Sequence, residues 1–322
     1  MATPPSKAAR GSMAAAFAMC AGLLLATGAR AAAPDEPALA ATQIAPGVFV
    51  HIGAVELELP SNRGDIANLG FIVGRRCVAV IDTGSTPAIG QRWRAAIERE
   101  TALPVCYVIN THAHPDHILG NQAFEGADAE FVGSAKFNAA LSAREPFFIN
   151  ALQRDLDIEM QHDDIVYPTI LVPAPGTLVL DLGSRKLTLQ TWPTAHTDND
   201  LTVFDDNTRT LFAGDLLFSG HLPVVDGKLN GWLAVMQGMA RVDAARVVPG
   251  HGAASTDWPG VLAPQRNYLS ALQRDTRAAL KAHVSLPRAV ETIGVDNASA
   301  WQLIDQFHRR NVTAAYAELE WE

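Results

Sequence analysis

Asn110-Thr111-His112-Ala113-His114-Pro115-Asp116-His117 decides the reading of this chain. The chain has 322 residues and 10 histidines, and three of them fall within six positions here, with an aspartate in the same run. Residues two apart in an extended segment project to one side, so His112 and His114 can converge on one ion. Pro115 fixes a bend, after which Asp116 and His117 can face a second ion. Imidazole nitrogen and carboxylate oxygen suit borderline divalent ions such as zinc. No cysteine belongs to the cluster, which argues against a closed structural zinc site, usually rich in thiolates.

Working outward, the cluster follows an expected strand, Val105-Cys-Tyr-Val-Ile109. Further along stand His196 in Pro193-Thr-Ala-His-Thr-Asp198, Asp215 in Phe212-Ala-Gly-Asp-Leu-Leu217 and His251 in Pro249-Gly-His-Gly252, each expected just past a strand. Loops at strand ends gather on one rim of a sheet, where α/β folds build their sites. Five histidines and two aspartates give seven candidate ligands, enough for two ions with open positions left. His221, six residues after Asp215, is read either as a substrate-facing loop residue or as a surface histidine without a task.

Short β-branched and aromatic runs bounded by glycine read as strands: 47–53, 68–74, 77–82, 105–109, 177–181, 186–192, 201–204 and 210–213. Thr86-Pro87 opens a helix to Glu100, with proline in the first turn, and 134–160 is also helical. This alternation points to α/β layering. Residues 261–282 and 300–319 carry amphipathic helical spacing and are expected to pack outside the sheet. The chain divides into 1–31, a linker 32–43, one domain 44–255 and a helical extension 256–322 packed on that domain.

Residues 1–31 place Lys7 and Arg10 before an apolar stretch and the small residues Ala29-Arg-Ala31, the order of a cleavable secretory signal. The apolar stretch is short for a membrane span. The expectation is a periplasmic or secreted protein without stable membrane insertion. Lys and Arg total 25 against 34 Asp and Glu, for a net charge of −9. Proteins that grip phosphate backbones present a basic face, so nucleic acid is not the expected partner. A small molecule is. Beyond Cys20 in the leader, Cys77 and Cys106 are read as two separate buried thiols, a disulfide being the alternative. Asp205-Asp206 and Asp163-Asp164 are read as solvated turns, and Asn62-Arg-Gly-Asp65 as a flap or an exposed tip.

The motif His112-x-His114-x-Asp116-His117 with His196, Asp215, His251 and the earlier Ile81-Asp82-Thr-Gly84 resembles the metal-binding signature of the metallo-β-lactamase superfamily. That resemblance implies a four-layered αββα sandwich with C-terminal helices. It also implies that His112, His114 and His196 hold one zinc, that Asp116, His117 and His251 hold another, and that Asp215 bridges them. Asp82 would orient ligands by hydrogen bonding. The implied chemistry is hydrolysis of a small ester, thioester, lactone or β-lactam by a hydroxide shared between two zinc ions, with Asp116 steering it. Iron or manganese suits the same ligands. An aspartate at 215 is similar to glyoxalase II and the lactonases. Around His196, Ala195-His-Thr-Asp-Asn199 replaces the usual Gly-His-Thr-x-Gly.

Phe212–Phe218, Gly231-Trp-Leu-Ala234 and the ending Arg309–Trp321 are similar to the periplasmic quinoprotein relay system zinc metallohydrolases. That placement implies an exported oxidoreductase system as a partner. Two other readings stand beside it: a mononuclear iron enzyme similar to persulfide dioxygenases, and a non-catalytic exported binding protein of a quinoprotein or sulfur-oxidation system.

Overall fold

The computed structural model describes Met1, residues 37–126 and residues 128–322; the expected leader lies outside the described residues. Seven strands form a first sheet in chain order: β1 (Thr42–Ala45), β2 (Val48–His51), β3 (Leu69–Val73), β4 (Val78–Ile81), β5 (Val105–Ile109), β6 (Glu130–Ser134) and β7 (Ile170–Val172). β1 to β4 pair antiparallel and β4 to β7 parallel. The second sheet is built from β8 (Gly176–Asp181), β9 (Lys186–Thr191), β10 (Leu201–Asp205), β11 (Thr210–Phe218) and β12 (Arg246–His251), and only β11 and β12 run parallel. The helices are α1 (Pro87–Glu100), α2 (Pro115–Ile118), α3 (Phe137–Leu156), α4 (Leu229–Met239), α5 (Leu262–Lys281), α6 (Leu286–Thr292) and α7 (Ile304–Leu319).

Strand alternation builds the layers. In β2, Val48 and Val50 point into the space between the sheets, where Ile72, Ile109, Leu189, Val203 and Phe212 meet them. Phe49, between those valines, points the other way, with Phe71 and Val80, onto Ile89, Trp93 and Ile97 of α1. The outer face of the second sheet, through Leu211, Ala213 and Val247, packs on α4, α5 and α7. Helix, sheet, sheet, helix is the αββα order. Each such side chain, once fully buried, contributes about 1.5–3 kcal/mol. The parallel link from β4 to β5 needs a crossover, and α1 supplies it. Its start is fixed by Thr86, whose hydroxyl accepts from the Ile89 N–H at 3.1 Å.

Several sequence expectations change here. Cys77 and Cys106 are joined, with S–S 2.04 Å, because the parallel pairing of β4 and β5 brings their Cα atoms to 5.7 Å. Asp205 is fully buried, not solvated: Arg185 grips both its oxygens at 2.8 and 2.7 Å and also donates to the Val73 and Pro46 carbonyls. The strand pleat sends Asp205 the same way as Val203, towards the other sheet, so it needs a partner there. Residues 62–65 form a pinned turn, in which the Asn62 side chain accepts from the Leu59 and Gly64 N–H groups and Asp65 pairs with His51 at 2.7 Å. Within 32–43, Leu39 is buried and β1 opens at Thr42.

Candidate metal centre

The centre lies where the carboxyl ends of β4 and β5 face β11 and β12. β5 ends at Ile109, and the turn that follows carries His112 and leads to α2, which begins with Pro115 at its first position. That short helix carries Asp116 and His117. His196 sits in the loop after β9. Asp215 and His251 were expected past their strands but lie inside β11 and at the last residue of β12. The pairing of β11 with β12 is irregular around Gly214, whose φ is +53°, and the irregularity turns Asp215 towards the histidines. Gly250 makes room for it: a Cβ there would stand 1.8 Å from Asp215 Oδ1.

All seven expected ligands come together. His112, His114, His196 and Asp215 form one group and Asp116, His117 and His251 a second, with the ligand atoms of each within 4.8 Å of one another. Asp215 faces both: its Oδ1 is 3.2 Å from His117 Nε2, and its Oδ2 is 3.4 Å from His196 Nε2 and 3.5 Å from His251 Nε2.

Each histidine spends one nitrogen on an anchor and turns the other inward. His117 Nδ1 donates to Asp82 at 2.8 Å, His196 Nδ1 to the Val224 carbonyl at 2.8 Å and His251 Nδ1 to the Ile66 carbonyl at 2.9 Å. His112 Nδ1 donates to the Thr111 hydroxyl at 3.1 Å, which in turn donates to Asp82 at 2.8 Å. His114 is reversed: Nε2 donates to Asp226 at 3.0 Å. Its Nδ1 therefore faces His196 Nε2 at 3.1 Å with both protons committed elsewhere. Two lone pairs in contact repel unless a cation lies against them. Buried His112 Nε2, His117 Nε2 and Asp215 Oδ1 also have no hydrogen-bond partner. Nitrogen and oxygen donors of this kind fit a divalent metal.

The charges of the metal-free centre agree. Burial pushes His112 well below its ordinary value and His196 down to about 4, so both stay neutral. Burial opposes the charged form of His251 too, but Asp215 and Asp116 overcome it and raise His251 to about 10. His117 is likewise raised against its burial by Asp116, Asp215 and Asp82. Asp215 is buried and Asp116 half-buried, which raises both, yet the facing histidines hold both well below the usual carboxylate range.

Asp82 stands at the end of β4 with a φ of +55° and accepts from the Thr111 N–H as well as from Thr111 Oγ1 and His117. His221 is buried, not a surface residue; it lines the cleft against His251, Phe218 and Phe307. Its Nδ1 donates to the Leu222 carbonyl at 2.6 Å and burial lowers it to about 4, so it is neutral. The cleft over the ligands holds about 530 Å³, between Leu57 and Leu59 of the 54–67 loop, Phe147 and Phe148 of α3, and Phe307 of α7.

The sequence matches the metallo-beta-lactamase superfamily over residues 62–251. The chain belongs to that superfamily. Among solved structures, the stereoselective inverting sec-alkylsulfatase Pisa1 from Pseudomonas sp. superposes with a TM-score of 0.68 at 14% identity, over 87% of this chain and 50% of that one. The chain thus spans about half the length of the alkylsulfatase. A metallo-beta-lactamase from Pontibacter korlensis gives a TM-score of 0.58 at 19% identity, over 72% of this chain and 99% of its own. One from Hirschia baltica gives 0.55 at 19%, over 73% and 98%. No curated protein matches the sequence.

This superfamily member also uses residues that sequence reasoning passed over. Asp226 and Arg144 fix His114, and Arg144 sits 3.3 Å from its Nε2. Asn199 stands where the superfamily pattern has glycine; its side chain accepts from the Ala113 N–H at 2.9 Å, tying the His196 loop to the His112 turn. Nothing in the local sequence marks Asp226 or Arg144, and Asn199 shows there only as a departure from the glycine pattern, because their partners lie 30 to 112 positions away.

Proposed function

We propose that the chain is a dinuclear zinc hydrolase acting on a small ester, thioester, lactone or β-lactam. The observation that carries this is the close approach of His114 Nδ1 and His196 Nε2, 3.1 Å apart with the other nitrogen of each ring hydrogen-bonded to an acceptor, beside a second complete ligand group. Two groups favour two ions over the single iron of a persulfide dioxygenase. When bound, such ions supply an ionised water at neutral pH and an electrophilic contact for the developing negative charge.

The chain's own residues do the rest. Asp116, held ionised, stands at the floor of the cleft with Oδ2 3.2 Å from His251 Nε2, where it can take up the proton of the attacking water. Asp215 fixes the spacing of the two groups. Neutral His221 offers a hydrogen-bond acceptor to the substrate, and Phe147, Phe148 and Phe307 shed water from it. The Cys77–Cys106 bond suits an oxidising compartment and supports export to the periplasm. In that setting we infer service beside an exported oxidoreductase, as in the quinoprotein relay hydrolases.

The test is elemental analysis with a substrate panel of thioesters, lactones, cephalosporins and secondary alkyl sulfates. About two zinc equivalents per chain and chelator-sensitive turnover, lost in Asp116→Asn, are expected. Turnover that persists in protein shown to be metal-free would overturn the reading.

A further inference from the structure

One wall of the cleft carries an unbalanced charge. Asp226 receives three cationic or donor groups: His114 Nε2, Arg144 Nη1 and, at 2.6 Å, Arg310 Nη2. Two guanidiniums from different helices, α3 and α7, thus share one carboxylate. The neighbouring Arg154 differs, since Asp155 takes it bidentately at 2.7 and 2.6 Å and cancels it. Arg144 and Arg310 keep 38% and 48% of their side chains exposed while Asp226 keeps 16%, so the surplus charge is the accessible one. Each guanidinium has five N–H donors in a rigid fork, and Asp226 uses few of them.

The wall is also built to hold still. Arg144 lies over the Phe148 ring at 5.1 Å, which fixes the guanidinium plane against the apolar floor. Glu56 and Glu58 also line the cleft and offer an anion no cationic partner. Phe147, 60% exposed, and Leu57 and Leu59 of the 54–67 loop add apolar surface that stays open to solvent.

We propose that Arg144 and Arg310 dock an anionic group of the substrate, which is therefore a hydrolysable compound bearing a carboxylate or sulfonate at the end of an apolar segment. The docking site lies on the far side of the His114 ring from its metal-facing nitrogen, so the anion sits beside the first ligand group and the scissile bond extends over the second. This deepens the hydrolase reading and rests on it for the reaction, though not for the binding.

Arg310 is the residue to vary, because Arg144 also touches a ligand. Zinc-loaded protein is tested with mono-para-nitrophenyl glutarate and with the neutral ester in which an isopropyl group replaces the carboxylate. In Arg310→Gln the ratio of kcat/KM for the anionic over the neutral ester falls at least tenfold, through KM, and Arg310→Lys restores most of it. Calorimetric titration with phenylbutanesulfonate, which has no scissile bond, reads the site without turnover; Arg310→Gln weakens it at least tenfold. An unchanged ester ratio or an unchanged sulfonate affinity overturns the docking site, as does wild-type protein that binds no sulfonate. Sulfonate binding that depends on Arg310, in a zinc-loaded protein that cleaves neither ester nor any thioester, lactone, cephalosporin or alkyl sulfate of the panel, leaves the docking site standing and removes the hydrolase reading.

Discussion

Each histidine of the centre is defined by the nitrogen it gives away. Asp82 holds His117 directly and His112 through Thr111, so one carboxylate outside both ligand groups sets the aim of a ligand in each. Asp82→Ala should weaken zinc binding by about 10–100-fold, the usual effect of losing an orienting partner. Competition with a chromophoric chelator measures it, and an unchanged affinity would show that the rings are held by packing alone. The protons matter as well. His251, raised to about 10, and His117 are charged in the metal-free protein at neutral pH, and a ligand nitrogen cannot hold a proton and a metal together. Raised histidines stabilise the metal-free fold below about pH 6.5, and that contribution fades only as pH climbs through their folded values. Metal binding at pH 8 should therefore expel at least one proton per chain, read as a binding enthalpy that changes with the ionisation heat of the buffer. The ligands themselves were legible because histidine is rare and its spacing is local. Asp226, Arg144 and Asn199 were not, since acids, arginines and asparagines are common and these act across the tertiary fold.

Strands and helices followed from hydrophobic period and caps almost wherever both were present, as at Thr86-Pro87 before α1. The second sheet was harder. β11 runs to Phe218, not Ala213, because Gly214-Asp215 looks like a strand end and is a bulge within a buried strand. β6 escaped notice because its end, Gly133-Ser134, runs into the expected helix from 134, and β7 because it has three residues between prolines. Two changes test how tightly these elements are fitted. Gly250→Ala puts a methyl against Asp215 Oδ1 and should cost metal in both groups, with the fold largely retained by circular dichroism. Full occupancy in that variant would mean β12 can shift away from β11. Asp205→Asn leaves Arg185 charged and buried between the sheets, a loss of about 3–5 kcal/mol for a broken internal pair. Urea unfolding reads that loss, and a change under about 1 kcal/mol would show that water reaches the guanidinium.

At the scale of the whole molecule, residues 37–322 form one compact unit, and the ligands come from both of its sheets, so the centre exists only while the sheets stay packed. The Cys77–Cys106 bond ties two strands of the first sheet, β4 entering at Val78 and β5 at Val105. Both strands lead to the centre, β4 to Asp82 and β5 to the His112 turn. The sequence could not show this bond, because parallel pairing across α1 sets the cysteines' separation in space. It closes a loop over a sequence separation of 29, for which restriction of the unfolded chain gives about 3–4 kcal/mol. Cys77 is fully buried but Cys106 only partly, so reductant reaches the bond through Cys106. Equilibrium urea unfolding with and without dithiothreitol should then differ in midpoint by that free energy. A coincident midpoint would mean the two strands hold the loop closed without the bond. Metal adds to the same balance, since ions that bind only the folded chain stabilise it by about 2.7 kcal/mol per site at a hundredfold excess over Kd. Two such sites give about 5.4 kcal/mol, so zinc-loaded, reduced protein should be more stable than the metal-free, oxidised form, and a chain both reduced and chelated should be the first to unfold as urea rises.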